Sequence, residues 1–362
     1  MAHTMSEVSL ILPLYNADKR CLGDCIDSIK AQTFSDFECV FVNDGSPNRD
    51  CIEYAANSVR GDSRFHLAEK SNGGLASARN FGILHSGGEY VTFVDQDDIL
   101  HPQRIELALR AMEATTADVC ECKVVRIPFT ASFLNGSYPH FATDTILEST
   151  DLLDGRDILS WYLGQKMNIT VWSHFYRRQI FERRLLPESV WGSDDLAFNI
   201  VNASEVKSLA KIRHPLYFWR RNPKATTERV PLAFPTGVAE AIEYVLNHYH
   251  DHPTLGALSE PLSNYLAGAF ADAMRKSLMV KRDGAERSKL VELAVRADDL
   301  LDGKLALRIA EEDKIWISRL LAGKYDSAVR NAKSAAAARV RRNLFRIAKT
   351  HLKRLFISTK SP

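Results

Sequence analysis

Little in this 362-residue chain is extreme, and each shortage removes a class of protein. Cysteine is scarce: six residues, at 21, 25, 39, 51, 120 and 122, none of them in a C-x-x-C pair. That argues against a disulfide scaffold or a zinc site. The thiols read instead as small buried hydrophobes in a reducing compartment. The net charge is only +2, so the whole-molecule balance points to no polyanionic partner. No apolar run approaches the length of a membrane span, and no secretory pattern is visible at Met1. There is no internal repeat, and the one biased patch is the alanine-rich Ser334 to Ala338. Acidic residues are missing from Ser327 onward. What remains, 45% hydrophobic and 25% charged, reads as a folded protein, expected to be cytoplasmic, of two domains or of one domain with a sizeable extension.

The stretch that organises the chain is Val91 to Asp98, V-T-F-V-D-Q-D-D. Tyr90 to Val94 is a short apolar, β-branched run after Gly87-Gly88, the pattern of a buried strand. Asp95, Asp97 and Asp98 follow at once, and Asp95 and Asp97, two apart, point the same way on an extended chain. Such a cluster repels itself unless a cation or donor array neutralises it. A hard divalent ion holding a diphosphate does this with one or two carboxylates. Taken alone, D-x-D-D is more often a solvated turn capping a helix, here one that starts at Pro102. Its place after a buried strand favours the ligand reading, because open α/β sheets bind ligands at the carboxyl ends of their strands.

Strand and helix alternate strictly through the first half. Val8 to Leu12, Glu38 to Val42, Phe65 to Ala68 and Tyr90 to Val94 read as strands. The helices between them bury Cys21, Leu22, Cys25, Ile26 and Ile29, then Ile52, Ala55 and Val59, then Ala76 and Ile83. Alternation of this kind predicts a parallel sheet with helices on both faces and right-handed crossovers. The strand ends then share one rim, carrying Tyr15, Asp44, Asn72 with Gly73 and Gly74, and Asp95 with Asp97. A tyrosine ring stacks on a base, an aspartate accepts from a base or ribose, and glycines at a helix N-terminus admit phosphates. Arg79, about two turns into the third helix, reaches the same rim. Together they describe a nucleotide-diphosphate site.

The segment from Val8 to about Ile127 resembles a family 2 glycosyltransferase of the GT-A fold. The matching stretches are L-P-L-Y-N at 12 to 16, V-N-D-G-S at 42 to 46, N-G-G-L-A-S-A-R-N at 72 to 80 and D-Q-D-D at 95 to 98. The resemblance implies that Pro13, Tyr15, Asn16, Asp44, Asn72, Gly73, Arg79, Asp95 and Gln96 hold the nucleotide sugar. It implies that Asp97 with Asp95 holds Mn2+ or Mg2+. The family often has a second acid where this chain has Asn43, and Ser where it has Gln96; neither departure removes a required charge.

In the second half Val119 to Ile127 alternates like a strand, and Pro128 to Thr150 is an irregular excursion suited to covering an acceptor cleft. Asp151 to Leu163 reads as a helix, Ile169 to Tyr176 as a strand, and Val206 to Trp219 as the last strand of the unit. W-G-S-D-D-L-A-F, ending at Phe198, resembles the acidic motif that the family places before a helix. An acceptor hydroxyl attacking an anomeric carbon must lose a proton, and a positioned carboxylate accepts it. Asp195 is the expected base with Asp194 beside it, although an aspartate pair there is also a good helix N-cap. Arg220, Arg221 and Lys224 follow, either closing on phosphates or lying in a solvated loop.

These features predict a GT-A catalytic domain over 1–230, with a donor half at 8–127 and an acceptor half at 128–230. A helical region follows over 231–338, with helices at Val238 to Tyr249, Leu262 to Met279 and Arg287 to Leu301, and then a basic amphipathic tail over 339–362. Within the tail, 339–357 has the pattern of a helix lying on an anionic membrane surface, docking on protein being the other reading. No recognised nucleic-acid-binding fold surrounds the basic patch, so nucleic acid is not an expected partner; a homo-oligomer is left open. The expected function is inverting, metal-dependent transfer of a sugar from a nucleotide sugar, a UDP-sugar first, to a glycan or lipid-linked acceptor in surface-polysaccharide synthesis. Its rivals are a nucleotidylyltransferase, which would want a basic glycine-rich loop after the first strand, and a catalytically silent nucleotide-sugar-binding or scaffold protein.

Overall fold

A computed structural model describes residues 6–133, 137–148, 150–223, 232–250, 252, 258–280 and 282–337. Its first elements are β1 (Val8–Leu14), α1 (Lys19–Lys30), β2 (Phe37–Asp44), α2 (Arg49–Ser58), β3 (Phe65–Lys70), α3 (Leu75–Leu84) and β4 (Tyr90–Phe93). All seven β1 residues are buried, as expected of a strand covered on both faces. α1 starts where the Asp18 carboxylate accepts from the Arg20 and Cys21 amides. The strands β3, β2, β1 and β4 pair in parallel in that order, so their carboxyl ends do share one rim. All six thiols are buried and unpaired, the role expected of them.

The second half turns the sheet from parallel to mixed. It contains β5 (Ile99–Leu100), α4 (Arg104–Thr115), β6 (Val119–Ile127), α5 (Thr143–Glu148), β7 (Asp151–Asp154), α6 (Gly155–Leu163), β8 (His174–Arg177), α7 (Gln179–Arg183), α8 (Asp194–Asn202) and β9 (Ser208–Arg220). β8 inserts antiparallel between β4 and β6, and β6 pairs in parallel with β9. β5 and β7 both lie antiparallel along β9, which completes a nine-stranded sheet among the described residues.

Three expectations are corrected here. The stretch 151–163 is not one helix: Asp151 to Asp154 form β7 against Lys211 to Ser208, and the helix starts only at Gly155. The open edge of β9 captures four residues that helical periodicity would otherwise claim. A Cβ at Gly155 would lie 3.0 Å from the Val206 carbonyl, so a small residue sits at the junction. The stretch 169–176 is a strand only from His174, because Val171 to Ser173 wind into a 3-10 turn. Their backbone groups are used away from the ladder, with Trp172 O accepting from Arg104 Nη2 at 2.8 Å and Val171 N donating to Asp195 Oδ2 at 3.3 Å. The excursion 128–150 also holds a short helix, α5.

The chain divides into two compact units, Met1–Arg229 with Glu243–Leu258, and Val230–Ile242 with Ser259–Pro362. The second unit contains helices Ser259–Leu278, Gly284–Leu300 and Glu311–Leu321, and residues 325–337 are helical as well. An Asp283/Glu286 capping box opens the middle helix. Asp313, buried, accepts from Trp316 Nε1 at 2.8 Å and pairs with Arg275 at 3.4 Å. The amphipathic tail expected over 339–357 lies outside the described residues, and among the described residues no helix is long and apolar enough to cross a membrane.

Candidate active site

The rim of the parallel strands gathers the first group of expected residues. Pro13 is on β1, in register with Val42 of β2, and Tyr15 follows the strand with its side chain exposed. Asn16 adopts a left-handed backbone at φ 48°. Its Oδ1 accepts from Asn48 N at 3.2 Å and its N donates to Ser46 Oγ at 3.0 Å, which ties the ends of β1 and β2 together. Gln96 locks reciprocally onto the Tyr15 backbone, its Oε1 accepting from Tyr15 N and its Nε2 donating to Tyr15 O, both at 2.9 Å. A glutamine thereby joins the D-Q-D-D turn to the end of β1.

Asp44 and the N-G-G turn form a second knot. The Asp44 carboxylate accepts from Gly73 N and Gly74 N, each at 2.9 Å, and from Lys70 Nζ at 2.8 Å. Asn72 Nδ2 donates to the Asp44 carbonyl at 2.9 Å. The two amides ahead of α3, which the sequence offered to a phosphate, are thus taken by Asp44. Gly45 permits the approach: its φ is +63°, and a Cβ there would stand 2.6 Å from Asn72 N.

The aspartates of D-Q-D-D divide their work. Asp98 is fully buried; its Oδ2 accepts from Tyr217 OH at 2.6 Å and its Oδ1 from Arg220 N at 2.8 Å. The Tyr217 hydroxyl also accepts from Asp95 N at 3.2 Å, so β9 pins the turn from both ends. Asp97 accepts from Asn222 Nδ2 at 2.8 Å. Burial raises the pKa of all three carboxyls, furthest at Asp98, where Asp97 and Asp95 add to it. Among the described residues no group of three or more His, Cys, Asp or Glu side chains is placed to hold a metal ion. Asp97 with Asp95 nonetheless fits a hard divalent cation. Both offer carboxylate oxygens, and at Asp97 burial and the Asp95 charge work against the carboxylate, offset by the Asn222 amide, its own backbone N–H and the more distant Arg220.

Arg79 joins the two halves of this unit. It is buried, its Nη2 donates to Asp95 Oδ1 at 3.1 Å, and its Nη1 donates to Asp194 Oδ2 at 3.0 Å and to Asp195 Oδ1 at 2.6 Å. Burial works against its charge, but Asp195, Asp95 and Asp194 hold its pKa above the usual guanidinium value. Asp194 and Asp195 are the first two residues of α8; the cap position expected of them belongs to Ser193, and the two carboxylates lie in the first turn instead. Asp194 is the more buried, with side-chain exposures of 4% and 18%. Burial pushes the Asp195 carboxyl up to about 6, against the opposing pull of Arg79.

Sequence reasoning missed Lys70, Tyr217 and the true office of Arg220. Arg220 is not on a loop facing phosphate. It is buried, with Nε donating to Asp97 O at 2.7 Å, Nη2 to Asp24 Oδ2 at 2.9 Å, and Nη1 to the carbonyls of Phe129 and Ala131. The basic residue at the end of a strand was the visible signal; its direction was not. Lys224 lies outside the described residues.

A largely parallel sheet with its acidic turn at the strand ends, a helix opened by two aspartates facing it and a helical C-terminal region make this a GT-A glycosyltransferase fold. Residues 9–184 match the profile of Glycosyl transferase family 2. The chain is 30% identical over 270 residues to the uncharacterized glycosyltransferase EpsJ of Bacillus subtilis, covering 72% of this chain and 74% of that one. It belongs to glycosyltransferase family 2. Among solved structures it is similar in fold to S. aureus TarS 1–349 in complex with UDP-GlcNAc, with TM-score 0.67, 17% identity and 92% of each chain covered. It is also similar to the mannosyltransferase PcManGT of Pyrobaculum calidifontis in complex with GDP-Man and Mn2+, with TM-score 0.51, 17% identity and coverage of 91% and 88%.

Proposed function

We propose that this chain transfers a sugar from a UDP-sugar to a hydroxyl of a glycan or lipid-linked acceptor, with inversion at the anomeric carbon, in the synthesis of a surface polysaccharide. The observation that carries this reading is the meeting, through Arg79, of the D-Q-D-D turn with the Asp194-Asp195 pair. Donor diphosphate and acceptor base must flank one anomeric carbon in a direct displacement, and these two acidic groups sit on either side of one guanidinium. Both TarS, which binds UDP-GlcNAc, and PcManGT, which binds GDP-Man with Mn2+, share the fold.

In this reading Tyr15 offers its ring to the base, and Asp44, with Asn72 and Gly73 around it, accepts from the nucleoside. Pro13, Asn16 and Gln96 hold the shape of that slot. Asp97 with Asp95 would hold Mn2+ or Mg2+, which when bound neutralises the departing diphosphate. Asp195 takes the proton of the attacking hydroxyl. Arg79 keeps the carboxylate of Asp195 aimed at that hydroxyl and offsets the mutual repulsion of the three acids around it. Asp194 fixes the other side of the guanidinium.

Calorimetric titration of UDP with and without Mn2+, on the wild type and on Asp97→Ala, tests the donor site. Mn2+-dependent binding that disappears in the variant is expected. UDP-sugar hydrolysis and the Asp195→Asn variant then test the chemistry. Binding in both proteins without any need for Mn2+ rejects the cation site, and binding without turnover of any nucleotide sugar leaves a silent binding protein.

A further inference from the structure

Lys70 was part of no motif, yet it stands at the centre of the slot that the proposed function gives to the nucleoside. β2 and β3 pair so that Asp44 and Lys70 are direct partners at the ends of their strands. The side chains turn toward each other, and the exposures of 14% for Lys70 and 5% for Asp44 mean that the pair is sheltered. Lys70 Nζ donates to Asp44 Oδ1 at 2.8 Å and to the Ser71 carbonyl at 2.7 Å. An ammonium carries three hydrogens, so one remains. On Asp44, Oδ1 receives both Lys70 and Gly73 N, while Oδ2 receives only Gly74 N among the described residues. Among the described residues one acceptor position on Oδ2 and one donor on Nζ therefore remain on this ion pair, at the rim that also carries the exposed Tyr15. Gly73 makes room for the arrangement, because a Cβ there would stand 2.7 Å from Lys70 Nζ.

We propose that Lys70, paired with the Asp44 carboxylate that the proposed function already gives to the base N–H, donates from Nζ to the adjacent base carbonyl, which makes Lys70 a specificity-determining residue for uracil against cytosine. The proposal rests on the nucleotide-sugar reading above. Uracil presents N3–H beside O4, the complement of an acceptor beside a donor. Cytosine presents a bare N3 beside an amino group, which sets lone pair against carboxylate and N–H against ammonium. The pair discriminates because either mismatch leaves sheltered polar groups unpaired, a larger penalty than a lost contact in water. Charge assistance on both partners strengthens the matched case.

The test is the ratio of UDP to CDP affinity, measured by calorimetry on the full chain with Mn2+, for the wild type, Lys70→Met, Lys70→Gln and Lys70→Arg. The wild type is expected to favour UDP at least tenfold. Lys70→Met and Lys70→Gln should lose about tenfold in UDP affinity, one charge-assisted hydrogen bond, while CDP affinity holds or rises, so that the ratio collapses. Lys70→Arg should restore most of it. If Lys70 only steadies Asp44, UDP and CDP binding fall together and the ratio stays, which overturns the proposal and leaves the donor site intact. Equal wild-type affinities overturn it as well. If the wild type binds neither nucleotide, the donor-site reading itself fails and takes the proposal with it. The two truncations differ in polarity, so a folding defect in one, seen as a lowered Tm, leaves the other to decide.

Discussion

The Arg79 guanidinium lies 2.6 Å from the Asp195 carboxylate, although the two residues are far apart in sequence and belong to the halves expected to serve donor and acceptor. One buried cation faces three carboxylates, Asp95, Asp194 and Asp195. That imbalance sets the properties of the site.

The first consequence is a pH profile. Burial pushes Asp195 up to about 6 against the opposing effect of Arg79. A base works only when deprotonated, so kcat/KM for transfer should rise as pH increases through about 6 and level off above it. Arg79 lowers the Asp195 pKa, and its loss must raise it. The acidic limb of Arg79→Gln should therefore move to higher pH, and a limb that stays in place would separate Arg79 from the base. Asp195→Asn should lower kcat by about 10²–10⁴-fold, with UDP affinity retained.

Arg79 also carries stability. Arg79→Met leaves buried carboxylates without their counter-charge, at a cost of about 3–5 kcal/mol at neutral pH. Asp95, Asp194 and Asp195 all have folded pKa values raised by burial, so the folded state binds more protons than the unfolded state between the unfolded and folded values. Stability contributed by such groups is greatest below that window and falls as pH rises through it. Urea denaturation should then show the variant's deficit shrinking from pH 7 toward pH 4; a constant deficit would show that packing, not charge, had been lost.

Tyr217 anchors the acidic turn. Its hydroxyl serves both Asp98 Oδ2 and Asp95 N, and its ring stacks on Trp172 with centroids 4.5 Å apart. Tyr217→Phe keeps the stack and removes the hydroxyl, at a cost of about 1–3 kcal/mol. Mn2+-dependent UDP binding should weaken too, because Asp95 and Asp97 lose their fixed frame. Unchanged binding in a destabilised variant would mean that Arg220 holds the turn alone.

Arg220→Ala should be among the most damaging changes outside the carboxylates. It removes the guanidinium 2.9 Å from Asp24, which among the described residues keeps only the Phe133 amide and the more distant Arg20, and it takes the donor from the carbonyl of Asp97. About 3–5 kcal/mol of stability should be lost, read as a shift in the urea midpoint. A loss below 1 kcal/mol would place Arg220 in solvent, as the loop reading of the sequence had it.

Much of this was legible in order along the chain. The four parallel strands show as short apolar runs, and L-P-L-Y-N, V-N-D-G-S, N-G-G and D-Q-D-D sit at the strand ends where alternation puts them. Less legible were the segments whose form depends on distant partners. Asp151 to Asp154 is a strand because β9 offers an edge, and Val171 to Ser173 turns because Arg104 and Asp195 take its backbone groups. Periodicity within a window carries no trace of either partner.

By itself, then, the sequence determined the parallel half of the sheet, the family and the residue types that gather at the rim, because local hydrophobic pattern and short motifs are properties of neighbouring residues. Only the tertiary structure decided what those residues do to one another. It turned Arg79 onto the acidic pair of α8, paired Lys70 with Asp44 across two strands and drew Arg220 inward onto Asp24. The physical reason is that a buried charge must find its counter-charge wherever the fold brings one within reach, and that distance is written in the packing of the sheet, not in the spacing of the chain.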